Sequence, residues 1–166
     1  DVFHRHGVEG TWYAHASVGC LHVRPVLNMK AEGDVRKMRD IAEVAIASGI
    51  DGLIVGNTTL ERPSHLKSRE QHERGGLSGR PLMQKSTECL ATFYQLTKGK
   101  IPLVGCGGVS SGADAYDKIK AGASLVQLYT ALVFHGPYLV TKIKKELSEL
   151  LRADGFKKLD EAIAAD

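Results

Sequence analysis

The sequence predicts an α/β protein with a parallel sheet, and three observations carry that prediction. Short apolar runs alternate with stretches whose apolar residues recur every three or four positions. The runs are apolar throughout rather than alternating with polar residues, as expected of strands covered by helices. Each run closes on glycine or on small polar residues, most clearly in PLVGCGGVSSGADAYDKIKAGASLVQLYTAL, residues 102–132, which reads as strand, glycine turn, helix, strand and turn.

Taken in order, residues 1–23 show neither a period of two nor one of 3.6, and read as an irregular lead-in. His4 and His6 there lack a companion carboxylate or cysteine, so they make a poor metal site. From residue 23 the chain becomes rhythmic. VRPVLNMK predicts a strand ending at Lys30, and DVRKMRDIAEVAIASG a helix with Asp34 as N-cap and Gly49 just past its end. DGLIVGNTT is the next strand, followed by a polar loop over residues 61–81 that contains GGLSGRP, and by a helix from Leu82 to Leu96. IPLVGCGGV gives a third strand, Ala113 to Ala121 a helix, and ASLVQLYT a fourth strand. A last helix starts near Pro137 at its first position, with Leu139, Ile143, Leu147, Leu150 and Leu151 on one face. Four such units fit an open doubly wound sheet or half of a (β/α)8 barrel, whose full length is about 250 residues.

Composition narrows the function classes. With 166 residues, 43% hydrophobic and 25% charged, the chain can bury a core, which excludes intrinsic disorder. A net charge of +3 with lysines interspersed among acidic residues argues against a nucleic-acid partner. No apolar run approaches the roughly 18 residues that span a bilayer, and no signal segment opens the sequence. Three cysteines, Cys20, Cys89 and Cys106, without metal-ligand spacing read as free thiols of a reducing compartment.

In either architecture ligands bind outside the carboxyl ends of parallel strands. Those ends carry Lys30, Asn57 and Thr58, Gly107 and Gly108, and Tyr129 and Thr130. A lysine there is ordinarily solvated, and Asn57 with its threonines can be no more than a local turn. A tight βα turn needs one glycine, whereas this segment supplies Gly105, Gly107 and Gly108. Backbone N–H groups at a helix start cradle an anion where a Cβ would obstruct it, so the glycines point to phosphate. Tyr129-Thr130, after the following strand, matches the phosphate site formed by the last two loops of a barrel. The GGLSG loop reads as a linker or as a lid. No Ser/His/Asp or Cys/His set and no close carboxylate pair is evident, which leaves the chemistry to a cofactor.

The motifs DGLIVGNTTLERP, GGLSGRPL, PLVGCGGVSSGADAYDKIKAGASLVQLYTALVFHGP and DGFKKLDEAIAAD, in this order and spacing, resemble the dihydroorotate dehydrogenase family, in its quinone-dependent class. The resemblance covers residues 24–166 and implies the last four units of an FMN-containing (β/α)8 barrel. Such enzymes oxidise dihydroorotate to orotate in pyrimidine synthesis and pass the electrons to quinone. The resemblance implies that Lys30 contacts the flavin ring, that Gly56, Ser78 and Gly79 hold FMN, that Gly107, Gly108, Tyr129 and Thr130 hold its phosphate, and that Asn57 and Thr58 hydrogen-bond orotate. Gly56 stands where the family usually has threonine, and NMKAEGD departs from the usual pattern after the lysine. The catalytic base of this class, a serine, is expected in an N-terminal half along with the first four strands and the membrane-binding segments, so the polypeptide alone is expected to be inactive. Membrane association, at the mitochondrial inner membrane in eukaryotes or peripherally on the cytoplasmic membrane of bacteria, is expected only through those segments. Two competing readings are another FMN- or phosphate-binding barrel oxidoreductase, which Asn57 and GGLSG would distinguish, and a non-catalytic truncated product.

Overall fold

The computed structural model describes residues 2–5, 7, 10–15, 20–25 and 32–165. Lys30 therefore lies outside the described residues. The chain divides into two compact units, residues 1–50 and 51–166.

In the first unit, a single helical turn, α1 (Val2–Arg5), precedes two antiparallel strands, β1 (Gly10–His15) and β2 (Cys20–Pro25). Their register runs from Gly10 opposite Pro25 to His15 opposite Cys20. The lead-in expected to be irregular thus contains a hairpin. Val23, expected to begin a parallel strand, pairs with Trp12 of β1 instead. Pro25 ends β2, as a residue without an N–H must at the limit of a ladder. Helix α2 (Glu32–Ala47) begins ahead of the expected cap, so Asp34 lies inside it and pairs with Lys37 at 2.8 Å. Met38, Ala42 and Ala45 are its buried stripe, spaced four and three apart as one helical face requires. Past its end Gly49 takes φ +65°, a left-handed conformation that glycine adopts freely.

The second unit is a partial α/β fold. Strands β3 (Leu53–Val55), β4 (Leu103–Cys106) and β5 (Leu125–Gln127) form a parallel sheet in that order, with Val55, Gly105 and Val126 in register. Each parallel step is a helical crossover: α3 (Met83–Thr97) joins β3 to β4, and α4 (Gly112–Lys120) joins β4 to β5. A short helix, α5 (Thr130–His135), and a long one, α6 (Tyr138–Ala153), follow.

The sequence pattern explains the packing. Leu90 and Phe93 on α3, Ala115 and Ile119 on α4, and Leu139 and Ile143 on α6 recur at three or four positions and are buried. Gly105 lets α3 and α4 reach the sheet: a Cβ there would stand 3.1 Å from Leu90 Cδ2 and 3.2 Å from the Ala123 and Lys118 Cβ atoms. Gly112 does the same between α4 and α6, where a Cβ would come within 2.2 Å of Glu146 Cβ. The other face of the sheet presents the row Ile54, Val104 and Leu125, whose outer members are 45% and 63% exposed. Its apolar surface meets water, a patch of the kind that a folded protein ordinarily covers.

Candidate functional site

The carboxyl ends of the three parallel strands lie side by side because the strands are in register. After β3 the chain turns through Gly56 at φ +144°, where a Cβ would lie 2.6 Å from the Cys106 carbonyl oxygen. A threonine would not fit this conformation, so Gly56 offers backbone only. Asn57 and Thr58 are exposed, and Asn57 Oδ1 accepts the adjacent Thr58 N–H at 2.8 Å, one residue short of the span of an Asx turn.

The GGLSG loop is tied back to this turn. Thr59 and Leu77 exchange two backbone hydrogen bonds of 3.0 and 2.7 Å, and Gly76 runs so close to Thr58 that any side chain on it would overlap the Thr58 hydroxyl. Two residues further on, Ser78 Oγ accepts from Thr130 Oγ1 at 3.1 Å, and Gly79, at φ +83°, packs against the Thr130 methyl group. Ser78, Gly79 and Thr130, far apart in sequence, are therefore neighbours. Tyr129, just before α5, is 81% exposed.

Sequence reasoning missed what holds the intervening loop. The Arg62 guanidinium donates to the carbonyls of Gln71, Glu73 and Gly75 at 3.0, 2.9 and 2.8 Å, and more loosely to Thr59, Leu60 and Glu61. Glu61 pairs with Lys85 on α3. A planar fork with five donors suits this clasp, whereas one arginine in a polar loop carries no signal in the sequence. Arg62→Ala is expected to free the segment, so that limited trypsin digestion cleaves after Lys67, Arg69 or Arg74 several-fold faster. Unchanged cleavage rates would contradict the clasp.

After β4, Gly107 and Gly108 take φ +103° and +83°. Gly108 is buried against the first turn of α3, and its N–H has no acceptor among the described residues. The Gly107 carbonyl accepts from Ser86 Oγ at 2.9 Å. Next in the chain, Val109 packs with Ala115, Leu139 and Ile143, and Ala131 borders the same cluster, so the turns after β4 and β5 share one apolar support.

The start of α4, expected to complete the anion cradle, is already occupied. Ser111 Oγ accepts the Asp114 N–H, Asp114 Oδ2 accepts the Ser110 N–H at 2.8 Å, and Glu146 Oε2 accepts the Gly112 N–H at 2.7 Å. Burial raises the Asp114 carboxyl, but the Ser110 and Ser111 hydrogen bonds outweigh it and hold the group below its usual range. A second anion at this helix start would meet two carboxylates. Ahead of the helix, the Gly108 and Val109 amides have no acceptor among the described residues. Burial pushes the Cys106 thiol up, against the lowering effects of Lys118 and the Gly107 amide, so Cys106 is not a poised nucleophile. No group of three or more His, Cys, Asp and Glu that could hold a metal occurs among the described residues.

A partial parallel sheet with helical crossovers, and with glycine and small polar residues at its strand ends, defines the chain as a protein of the α/β class. The family model for dihydroorotate dehydrogenase matches residues 22–151. The chain belongs to the dihydroorotate dehydrogenase family. It is 55% identical over 145 residues to the dihydroorotate dehydrogenase (quinone) of Azorhizobium caulinodans, covering 86% of this chain and 41% of that protein. It is 54% identical over 145 residues to the mitochondrial dihydroorotate dehydrogenase (quinone) of Oryza sativa, covering 86% of this chain and 31% of the relative. Among solved structures, ligand-free DHODH from Eimeria tenella is similar with a TM-score of 0.76 and 41% identity, over 85% of this chain and 40% of that one. The chain thus spans about two fifths of the bacterial relative's length.

Proposed function

We propose that this chain supplies part of the flavin and substrate site of a quinone-dependent dihydroorotate dehydrogenase, an enzyme of pyrimidine synthesis. The observation that carries the reading is buried Gly108, at a strand end, whose amide has no acceptor among the described residues. A phosphate oxygen satisfies such a donor, which would otherwise leave a desolvated N–H unpaired at a cost of about 1–3 kcal/mol.

The residues present fit FMN. Gly107, Gly108, Tyr129 and Thr130 would hold its phosphate, the two glycines through backbone that no side chain screens. Gly56, Ser78 and Gly79 would lie along the rest of the cofactor, with the Ser78 and Thr130 hydroxyls already paired and therefore oriented. Lys30 would sit at the flavin ring, where a cation favours negative charge in a dry site. FMN, when bound, supplies the electron acceptor that the side chains lack. Among the described residues only the oxygen of the Asn57 amide has a partner, the Thr58 N–H, so its nitrogen would donate to a substrate carbonyl. Thr58 would add a hydroxyl.

Residues 24–166 would be one contiguous part of the (β/α)8 barrel. Quinone would be the final acceptor, and no nucleic acid takes part. No helix among the described residues is long and apolar enough to cross a membrane. Attachment to the mitochondrial inner membrane, or to the bacterial cytoplasmic membrane, would come from segments outside residues 32–165.

The test is a titration of the purified chain with FMN, followed by quenching of flavin fluorescence, beside the Gly108→Asp variant. Saturable binding that the carboxylate abolishes is expected; binding that the variant retains would remove phosphate from this turn. Dihydroorotate oxidation by this polypeptide is expected not to exceed that of free FMN. The exposed Ile54 and Leu125 leave the sheet face open to water, and the chemistry needs a closed, dry site.

A further inference from the structure

Lys118 is 0% exposed, the bulkiest of the fully buried side chains, although the surrounding DKIKAG gives it no apolar character. Its ammonium donates to Ser86 Oγ at 2.5 Å, to Thr87 Oγ1 at 2.8 Å and to the Met83 carbonyl at 3.4 Å. All three acceptors are neutral, and no carboxylate bridges to it among the described residues. Burying an ammonium without a counter-charge costs several kcal/mol in a folded protein. A cation retained under that penalty must act on something nearby.

Ser86 is what it reaches. The Ser86 hydroxyl accepts from Lys118 and has one proton of its own, for which the Gly107 carbonyl at 2.9 Å and the Met83 carbonyl of the preceding turn at 3.1 Å compete; the shorter contact is to Gly107. Donation from an ammonium polarises that hydroxyl and strengthens the bond it gives onward. The Gly107 carbonyl belongs to the same peptide group as the Gly108 N–H. A trans peptide is planar, with its C=O and N–H pointing in opposite directions. Fixing the carbonyl toward Ser86 therefore fixes the N–H away from it, on the side left without an acceptor. Glycines on both sides of this peptide, at φ +103° and +83°, would otherwise let it rotate more freely than any other residue pair.

The geometry points to Lys118 as a positioning residue that acts through Ser86 to hold the Gly107–Gly108 peptide with its N–H presented to the phosphate of a flavin mononucleotide. This rests on the phosphate reading of the turn given above. Lys118 touches neither cofactor nor substrate in this role; it sets the direction of a backbone donor and adds a buried positive charge behind it.

Riboflavin, which has the flavin ring without the phosphate, separates positioning from general stability. The affinities of FMN and riboflavin are measured for the 166-residue chain, Lys118→Met and Ser86→Ala, with circular dichroism to confirm folding. The original chain is expected to prefer FMN. Lys118→Met is expected to reduce that preference about tenfold, which is about 1.4 kcal/mol, with riboflavin affinity unchanged. Ser86→Ala is expected to do the same, and the double variant to lose little more, because both act through one hydrogen-bonded path. Ser86→Ala leaves Lys118 its bonds to Thr87 and Met83, and so decides the matter should Lys118→Met not fold. Equal losses for FMN and riboflavin, or a preference retained in the folded variants, would overturn the positioning role. An original chain with no preference for FMN would instead overturn the phosphate reading on which it rests.

Discussion

Gly108→Ala is expected to destabilise the chain by about 3 kcal/mol, from about 1–2 kcal/mol for a left-handed backbone and about 1–3 kcal/mol for overpacking. The backbone part follows from φ +83°. The packing part follows from the neighbours: an added Cβ would stand 2.5 Å from both Cα and N of Met83. Both are backbone atoms in the first turn of α3, so no side-chain rotamer can relieve the clash. Gly136 and Gly155 provide the comparison, with φ +70° and +82° and nothing within 4 Å of a built Cβ. Alanine at either should show only the conformational loss, about 1–2 kcal/mol. Urea denaturation reads the difference as a larger fall in midpoint for Gly108→Ala at an unchanged slope. Equal falls at all three positions would mean that the turn after β4 does not lie against α3. The same substitution should also abolish saturable FMN quenching, because a shifted peptide no longer presents its N–H.

Where the sequence was legible, the physics was local. Helices α3 and α4 begin and end, and α6 begins, within about a residue of expectation, because Leu90 and Phe93, Ala115 and Ile119, and Leu139 and Ile143 repeat at helical spacing. Strands β4 and β5 follow from continuous apolar runs beside glycine. The hairpin of β1 and β2 carries little signal because β1, GTWYAH, shows no strict alternation, and β2, CLHVRP, alternates over only the four residues from Leu21 to Arg24. Helix α5, six residues long, is under two turns and too short to show a period. Its end at Gly136, whose N–H donates to the Leu132 carbonyl at 2.8 Å, is a glycine stop that could have been read.

The candidate site divides along the same line. Glycines that the backbone requires were visible by type and spacing. Lys118 carries no signal by residue type, since a lysine is ordinarily solvated, although its place three residues after Ala115 and beside Ile119 puts it on the buried face of α4. The clasp of Arg62 on residues 71–75 and the meeting of Ser78 with Thr130 depend on tertiary approach across 9 to 13 and 52 residues, and no sequence window contains them.

Between pH 7 and 8 the folding stability is expected to rise with pH because of Lys118. Burial lowers its pKa from the ordinary 10.5 to about 8, and the neighbouring Cys106, Cys89, Asp114 and Asp117 only partly offset that. Across this window the unfolded chain binds more protons than the folded one, so the free energy of unfolding climbs with pH. The stability linked to this group is complete above 10.5 and is lost as pH falls through about 8, a span worth about 3 kcal/mol at 1.36 kcal/mol per pH unit. Burial also raises the Cys89 and Cys106 thiols above 9.0, which turns the slope downward at higher pH. Tyr116, whose hydroxyl donates to Asp154 at 2.5 Å, is pushed up to about 12 by burial and that carboxylate; its stability is present below 10 and lost as pH rises through about 12. The interval from 7 to 8, a full unit below the ordinary thiol value of 9.0 at its upper end, therefore isolates Lys118. Urea denaturation there should give a rising stability for the original chain and a flat one for Lys118→Met; parallel profiles would place the lysine in water. Stability and ligand recognition should also move in opposite directions. Emptying the ammonium relieves its burial but withdraws the charge that polarises Ser86, so the preference for FMN over riboflavin should fall across the same interval in which the fold gains stability.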